Sequence, residues 1–206
     1  MIEFLEEIDG PGDHLIVAFT GVQQRMGGVP FEFHKSLGGG DAKVLFVRDT
    51  GQRWYQYEIE TILGAARRIR DIAASLGTTR LSCIGNSMGG FGALMFGGLC
   101  AADAILAFAP QTTILPQQTL AMGDHRWLEY QAKIEAYPLP DLNALPSATG
   151  RVTICQGVDD VLDTAHAERL SWANERIILA DCGHNVARTL KDRGELTALI
   201  RSSLLG

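Results

Sequence analysis

Leu81-Ser82-Cys83-Ile84-Gly85-Asn86-Ser87-Met88-Gly89-Gly90-Phe91-Gly92-Ala93-Leu94-Met95-Phe96-Gly97-Gly98-Leu99-Cys100-Ala101-Ala102 runs without a charge between Arg80 and Asp103. The apolar residues before Ser87 are too few for a helix and suit a buried strand. After it, Phe91, Leu94, Met95 and Leu99 repeat at helical spacing. Ser87 is therefore expected where a strand turns sharply into a helix. Such a turn strains the serine backbone and lifts its hydroxyl clear of the sheet. Gly85 and Gly89, lacking a Cβ, let strand and helix pass close together there. A transmembrane helix is the competing reading of so long an uncharged run. The six glycines, with Ser82, Asn86 and Ser87, argue against it.

Outward from this stretch, strand-like and helix-like segments alternate. Met1 to Gly12 reads as a short edge strand and turn, and His14 to Phe19 as a strand ending at Thr20-Gly21-Val22. A loop with Gly27-Gly28 and Pro30 leads to a short helix near Phe31 to Leu37. Gly38-Gly39-Gly40 resembles a phosphate loop only superficially, because no Lys-Ser/Thr follows and a strand comes next. That strand is Ala42 to Val47, and the loop after it carries Asp49, Trp54, Tyr55 and Tyr57. A helix to about Leu76 lines up Ile59, Ile62, Leu63, Ala66, Ile69 and Ala73, and Gly77 ends it.

Beyond the central stretch, Ala104 to Ala109 is a strand closing at Pro110. Gln111 to Gly150 is irregular, with a helix expected near His125 to Ala136. Arg151 to Gln156 is a strand, followed by a helix to about Trp172. Arg176 to Ala180 is the last strand and Val186 to Leu205 the last helix. This alternation predicts an α/β fold: a mostly parallel sheet with helices on both faces and right-handed crossovers. Ligands bind such sheets beyond the carboxyl ends of the strands. Val22, Trp54, Ser87, Gln111, Asp160 and His184 each follow a strand end, so all should gather at one edge.

The 206 residues suit one domain spanning 1–206 with a substantial core. A net charge of −6 argues against nucleic acid as the main partner. Arg67, Arg68 and Arg70 are expected on the wet face of a helix. The acidic first residues lack a long apolar region, so no secretory signal is read and the cytoplasm is the default. No membrane partner is expected. Cys83 and Cys155 sit in strand-like runs and read as small buried hydrophobes. Whether the chain forms a homo-oligomer is not legible.

Gly85-Asn86-Ser87-Met88-Gly89 fits G-x-S-x-G. With the strand before it and the small-residue helix after it, it resembles the nucleophile elbow of the α/β-hydrolase superfamily. The resemblance covers nearly the whole chain in element order, but its motifs do not specify a substrate. It implies a serine nucleophile, then an acid, then a histidine in chain order. Ser87 is the nucleophile on this basis. His184, in Asp181-Cys182-Gly183-His184-Asn185, falls where the family's base belongs. His14 opens a strand at the opposite edge, His34 and His125 lie in poorly defined segments, and His166 is expected on a solvated helix face.

The acid comes from Gly157-Val158-Asp159-Asp160-Val161-Leu162-Asp163. The family spacing of glycine, two residues, then aspartate selects Asp160, with Asp163 second as a helix cap. The same run matches a D-D-x-x-D magnesium–diphosphate pattern, which needs a second acidic motif that is absent. Acyl transfer also needs donors for a tetrahedral oxyanion. The Met88 amide is one, and the resemblance places the other at Val22, although Thr20-Gly21 departs from the commoner His-Gly pair. Trp54, Tyr55 and Gln111 are candidate pocket residues. The short Gln111–Gly150 segment leaves room for little or no lid. The expected function is cleavage of a small-molecule carboxylic ester or thioester through an acyl-enzyme. Acyl transfer by the same residues, or a silent binding module, are the alternatives. No metal or organic cofactor is implied.

Overall fold

A computed structural model describes residues 1–7, 10–22, 31–38, 40–145 and 148–206. The expected loop glycines Gly27-Gly28, with Pro30, Gly39 and Pro146, lie outside the described residues. The strands are β1 (Ile2–Glu7), β2 (His14–Phe19), β3 (Lys43–Asp49), β4 (Arg80–Asn86), β5 (Ala104–Phe108), β6 (Arg151–Gly157) and β7 (Glu175–Leu179). They form one sheet in the order β1-β3-β2-β4-β5-β6-β7. Only β1 runs antiparallel, at the edge beside β3. All other pairings are parallel, as between β2 and β4, where Phe19 sits opposite Gly85.

The strand residues sort by alternation, because successive side chains leave opposite faces of a sheet. Leu15, Val17 and Phe19 join one core with Ile62, Ala66 and Ile69 of α2 (Ile59–Ser75) and Phe91, Leu94 and Met95 of α3 (Met88–Leu99). Ile16 and Ala18 join the other core with Leu37 of α1 (His34–Leu37), and with residues of α7 (Val186–Asp192) and α8 (Leu196–Leu204). Near-continuous apolar strands are what a sheet covered on both faces requires. The long uncharged run is divided between β4 and α3. Among the described residues no helix is long and apolar enough to cross a membrane. Arg67, Arg68 and Arg70 are exposed on α2, and all four cysteines are free and buried.

Two helix expectations need correction. The segment between β5 and β6 holds α4 (Pro116–Ala121) and only a one-turn α5 (Leu128–Gln131), not a helix over 125–136. Pro116 starts α4 because its fixed φ suits a first helical position. Pro138 and Pro140 supply no backbone donor, so the chain downstream stays irregular. The last helix is likewise two, α7 and α8, broken at Gly194. The 111–150 arm is held down by its own side chains. Asp141 pairs with Arg169 of α6 (Val161–Arg169) at 2.5 Å, and Thr113 pairs with Asp141.

Candidate active site

Ser87 caps α3 with φ 54° and ψ −118°, a conformation L-residues seldom adopt. It is held there by a ladder of contacts. Its amide donates to Phe108 O at 2.8 Å, and its carbonyl accepts from Phe91 N at 3.0 Å. A Cβ on Gly85 would stand 2.0 Å from Gly89 O, and one on Gly89 would stand 2.3 Å from Phe19 O. Only glycine allows β4, α3 and β2 to approach this closely. The strain of such a backbone costs about 1–3 kcal/mol, and the packing around it has to supply that.

His184 lies in the turn between β7 and α7. This turn is tied to the end of β6, where Asp159 N donates to Cys182 O at 3.0 Å. The imidazole is 24% exposed. Its Nε2 lies 3.1 Å from Ser87 Oγ and its Nδ1 lies 2.7 Å from Asp163 Oδ2. An ionised carboxylate only accepts, so Nδ1 carries the proton and Nε2 presents its lone pair to the serine hydroxyl. The structure thus brings Ser87 and His184 together and puts Asp163, not the expected Asp160, on the ring.

The reason for that exchange lies in α6. Asp160 is its N-cap, and its Oδ1 accepts from Leu162 N at 3.0 Å and from Asp163 N at 2.9 Å. That turns the carboxylate toward the amides of its own helix. Asp163 falls instead on the inner stripe with His166 and Ala167, all three without solvent exposure. Residues three and four apart share one helix face, so Asp163 is aimed inward. The expected roles of the two aspartates are reversed.

His166 is fully buried, against the expectation of a solvated face. Thr112 N donates to its Nδ1 at 3.1 Å, and its Nε2 lies 3.2 Å from Asp124 Oδ2. A backbone amide can only donate, so this imidazole is fixed as the neutral Nε2–H tautomer. Burial would raise the Asp124 carboxyl, but hydrogen bonds from His166 and Arg126 outweigh it and hold the group well below the usual range. Arg126 joins the two histidine–aspartate pairs. Its Nε and Nη2 take the two Asp124 oxygens at 3.0 and 2.8 Å. Its Nη1 donates to Asp163 Oδ1 at 2.9 Å and to Asp160 Oδ2 at 3.2 Å. Sequence reading missed Asp124, Arg126 and Trp127. The signal was the cluster Asp124-His125-Arg126-Trp127, four chemically capable residues together in an irregular segment.

Trp54 and Gln111 form the adjoining wall. Trp54 Nε1 donates to Gln111 Oε1 at 3.0 Å, and Gln111 Nε2 lies 3.4 Å from Ser87 Oγ. The indole is a donor only, so the amide atom facing it is Oε1, and that oxygen also lies 3.4 Å from Ser87 Oγ, as close as Nε2 does. Trp54 and Tyr55 have φ values of 52° and 58°. Asp49, at the end of β3, accepts from Arg53 N at 2.6 Å and Tyr55 N at 2.9 Å and so stabilises that loop. Trp54, Tyr55 and Gln111 are all buried, and what separates them is their partners: the Tyr55 hydroxyl is on Thr20 O at 2.9 Å, whereas the Trp54–Gln111 pair reaches Ser87 Oγ. The Trp127 ring lies 6.3 Å from both the Trp54 and His184 rings. Its Nε1 is buried with no acceptor among the described residues.

Met88 heads α3, where the first amides have no partner inside the helix. Val22 follows β2 beside this point and is half-buried against the core. Next to it, Glu32 is buried, with Oε1 3.0 Å from where a Cβ on Gly21 would stand. Burial pushes the Glu32 carboxyl up to about 8, opposed by a hydrogen bond from the Gly21 amide. Asp160, Asp163 and His184 offer ligand atoms within 4.8 Å of one another, a spacing that could suit a cation. The Arg126 guanidinium, already on both carboxylates, supplies the positive charge there.

No protein-family model matches the chain, and no curated protein matches it in sequence. Solved structures do. The capsule O-acetyltransferase of Neisseria meningitidis serogroup A is similar at a TM-score of 0.71 and 19% identity, over 97% of this chain and 91% of that one. An esterase of Pyrobaculum calidifontis is similar at 0.67 and 16%, over 98% and 79%. A carboxylesterase of Nitrososphaera gargenis is similar at 0.61 and 14%, over 99% and 95%. The chain has the α/β-hydrolase fold.

Proposed function

We propose that the protein acylates Ser87 from a small carboxylic ester or thioester and passes the acyl group to water. His184 Nε2 takes the Ser87 proton as Oγ attacks the carbonyl, and Asp163 stabilises the imidazolium that forms. The Met88 and Val22 amides receive the developing oxyanion. His184 then returns the proton to the leaving alcohol or thiol, and water repeats the cycle to release the acid. Trp54 and Gln111 border the site from its buried side, with both ends of the Gln111 amide 3.4 Å from the reacting oxygen. The unspent Trp127 indole N–H is suited to a substrate oxygen.

One observation carries this reading: hydrogen bonds of 3.1 and 2.7 Å link Ser87 to His184 and His184 to Asp163 at a strained strand–helix turn. A fluorophosphonate probe tests it, followed by p-nitrophenyl esters of increasing chain length. Stoichiometric labelling of Ser87 and ester turnover are expected. Labelling elsewhere, with no turnover, would end the proposal.

A second reading, acyl transfer to an alcohol or sugar hydroxyl, uses the same residues. The likeness to an O-acetyltransferase supports it. Turnover of the acyl-enzyme with and without added alcohol acceptors separates the two. Acceleration with ester product favours transfer.

A further inference from the structure

We infer that Arg126 is a positioning residue for the acylation machinery: the arm between β5 and β6 braces the acid of the Ser87–His184–Asp163 chain and balances its charge. This rests on the reading of Ser87 given above. Asp163 divides its two oxygens between two partners. Oδ2 accepts from His184 and Oδ1 accepts from Arg126 Nη1. The guanidinium therefore sits on the same carboxylate as the imidazole, one bond further out. Three further Arg126 N–H groups go to Asp160 and Asp124, and Asp124 is itself tied through His166 to Thr112. The brace is thus continuous from the start of the arm to His184.

The charges explain why an arginine is needed. Asp163 has no solvent exposure, and the Asp124 and Asp160 side chains are 4% and 19% exposed. Three clustered carboxylates repel unless a cation lies among them, and the guanidinium makes four hydrogen bonds to them at once, two of them bidentate on Asp124, where an ammonium has only three donors. The charged groups around His184 are Asp163 and Asp160 from α6, Arg126 and Asp124 from the arm, and the exposed Asp159 and Asp181 on the neighbouring turns. His166 faces the cluster as the neutral tautomer. Arg126 is the one cation among these described residues.

The sign of its effect follows. Ser87 is activated only while His184 is neutral. Removing the guanidinium leaves more net negative charge around the imidazole and favours its protonated form. The neutral form is then reached only at higher pH. Removing the Asp160 charge acts in the opposite direction.

The test is the pH dependence of the rate at which a fluorophosphonate labels Ser87. In that step the Oγ–P bond forms, the P–F bond breaks, fluoride leaves and the serine proton goes to His184. In Arg126→Met the acid limb of the rate should move up by on the order of one pH unit, as expected for a unit charge lost a few ångströms away. Arg126→Lys keeps the charge, so its limb should stay in place while the rate falls for want of the fork. Asp160→Asn keeps the helix cap, because asparagine caps as well as aspartate, and its limb should move down. The double variant Arg126→Met/Asp160→Asn should return toward the wild-type position.

A purely structural Arg126 would lower the rate without moving the limb, and that result overturns the inference while leaving the proposed function intact. If Arg126→Met does not fold, Asp160→Asn decides alone, and an unmoved limb there overturns the inference. If the wild-type protein is not labelled at Ser87, the proposed function fails and the brace falls with it.

Discussion

Two histidine–aspartate pairs lie on either side of Arg126, built from the same side chains at similar distances. His184–Asp163 spans 2.7 Å and His166–Asp124 spans 3.2 Å. They differ in what the second ring nitrogen meets. In the first pair it meets the Ser87 hydroxyl, which can give up a proton. In the second it meets the Thr112 amide at 3.1 Å, which cannot, and the Thr112 hydroxyl, 3.4 Å away, gives its proton to the His166 carbonyl at 2.7 Å instead. The first ring is 24% exposed and the second is sealed. On the proposed function, what sets the two pairs apart is the group at the far nitrogen, and a His–Asp contact by itself does not distinguish a proton shuttle from a strut.

The sharpest way to break this comparison is to remove each histidine in turn. His184→Ala should reduce ester turnover by roughly 10⁴ or more while the thermal unfolding midpoint stays close to wild type. Ser87→Ala should do the same and also abolish fluorophosphonate labelling. His166→Ala should retain turnover per folded molecule. If the damage to turnover falls on His166 and spares His184, the roles given to the two pairs are wrong.

The next effect separates the aspartates. Asp163→Asn keeps the size but can turn an N–H toward His184, allowing the wrong tautomer. A comparable change in a serine protease costs about 10⁴ in turnover, and a loss in that direction is expected here. Asp160→Asn should cost far less, since the cap survives. Steady-state kinetics on the two variants decide which carboxylate the base depends on.

A third prediction concerns stability. His166→Ala strips partners from the buried Asp124 carboxylate and the Thr112 amide. Leaving a buried polar group without its partner costs about 1–3 kcal/mol, and the Arg126 contact to Asp124 should keep the loss at the lower end. Urea unfolding of His166→Ala and His184→Ala side by side measures it. The partly exposed His184 should cost less stability than the sealed His166.

The fold was legible because its signals are local. Apolar strands, the glycines around Ser87 and the alternation of elements each follow from a few adjacent residues. Ser87 and His184 were legible as candidates because each follows a strand end, and such ends share an edge in a parallel sheet. The choice between Asp160 and Asp163 was misread, although the helical spacing Asp163, His166, Ala167, Leu170 places Asp163 on the buried stripe of α6. Family spacing pointed to Asp160, and the amides at the helix start had a stronger claim on that side chain. Arg126 was marked only by the local cluster that contains it and its near partner Asp124. Its reach to Asp160 and Asp163, 34 and 37 positions away, was not legible, because neither periodicity nor spacing predicts direction along an irregular segment.

Glu32 extends the comparison to a buried carboxyl with no cation on it among the described residues. Asp124 keeps its charge because Arg126 and His166 solvate it, so its contribution to stability is present above the ordinary aspartate range and is lost as pH falls through its depressed native value. Glu32 has the Gly21 amide on one side, while its Oε2 has no partner among the described residues. Its carboxyl is pushed up to about 8. The native state therefore holds a proton that the unfolded chain has already released at neutral pH. The sign is opposite to that of Asp124: the contribution is complete below the ordinary glutamate range and disappears as pH rises through about 8. Between pH 6 and 9 this linkage amounts to about 2–3 kcal/mol. Glu32→Gln keeps the acceptor for Gly21 and cannot ionise, so that slope should vanish in the variant. Denaturant unfolding of both proteins at pH 6, 7.5 and 9 measures it. The wild type should weaken toward pH 9 relative to Glu32→Gln. Equal slopes would mean that Glu32 finds a charge partner as good as the one Arg126 gives Asp124.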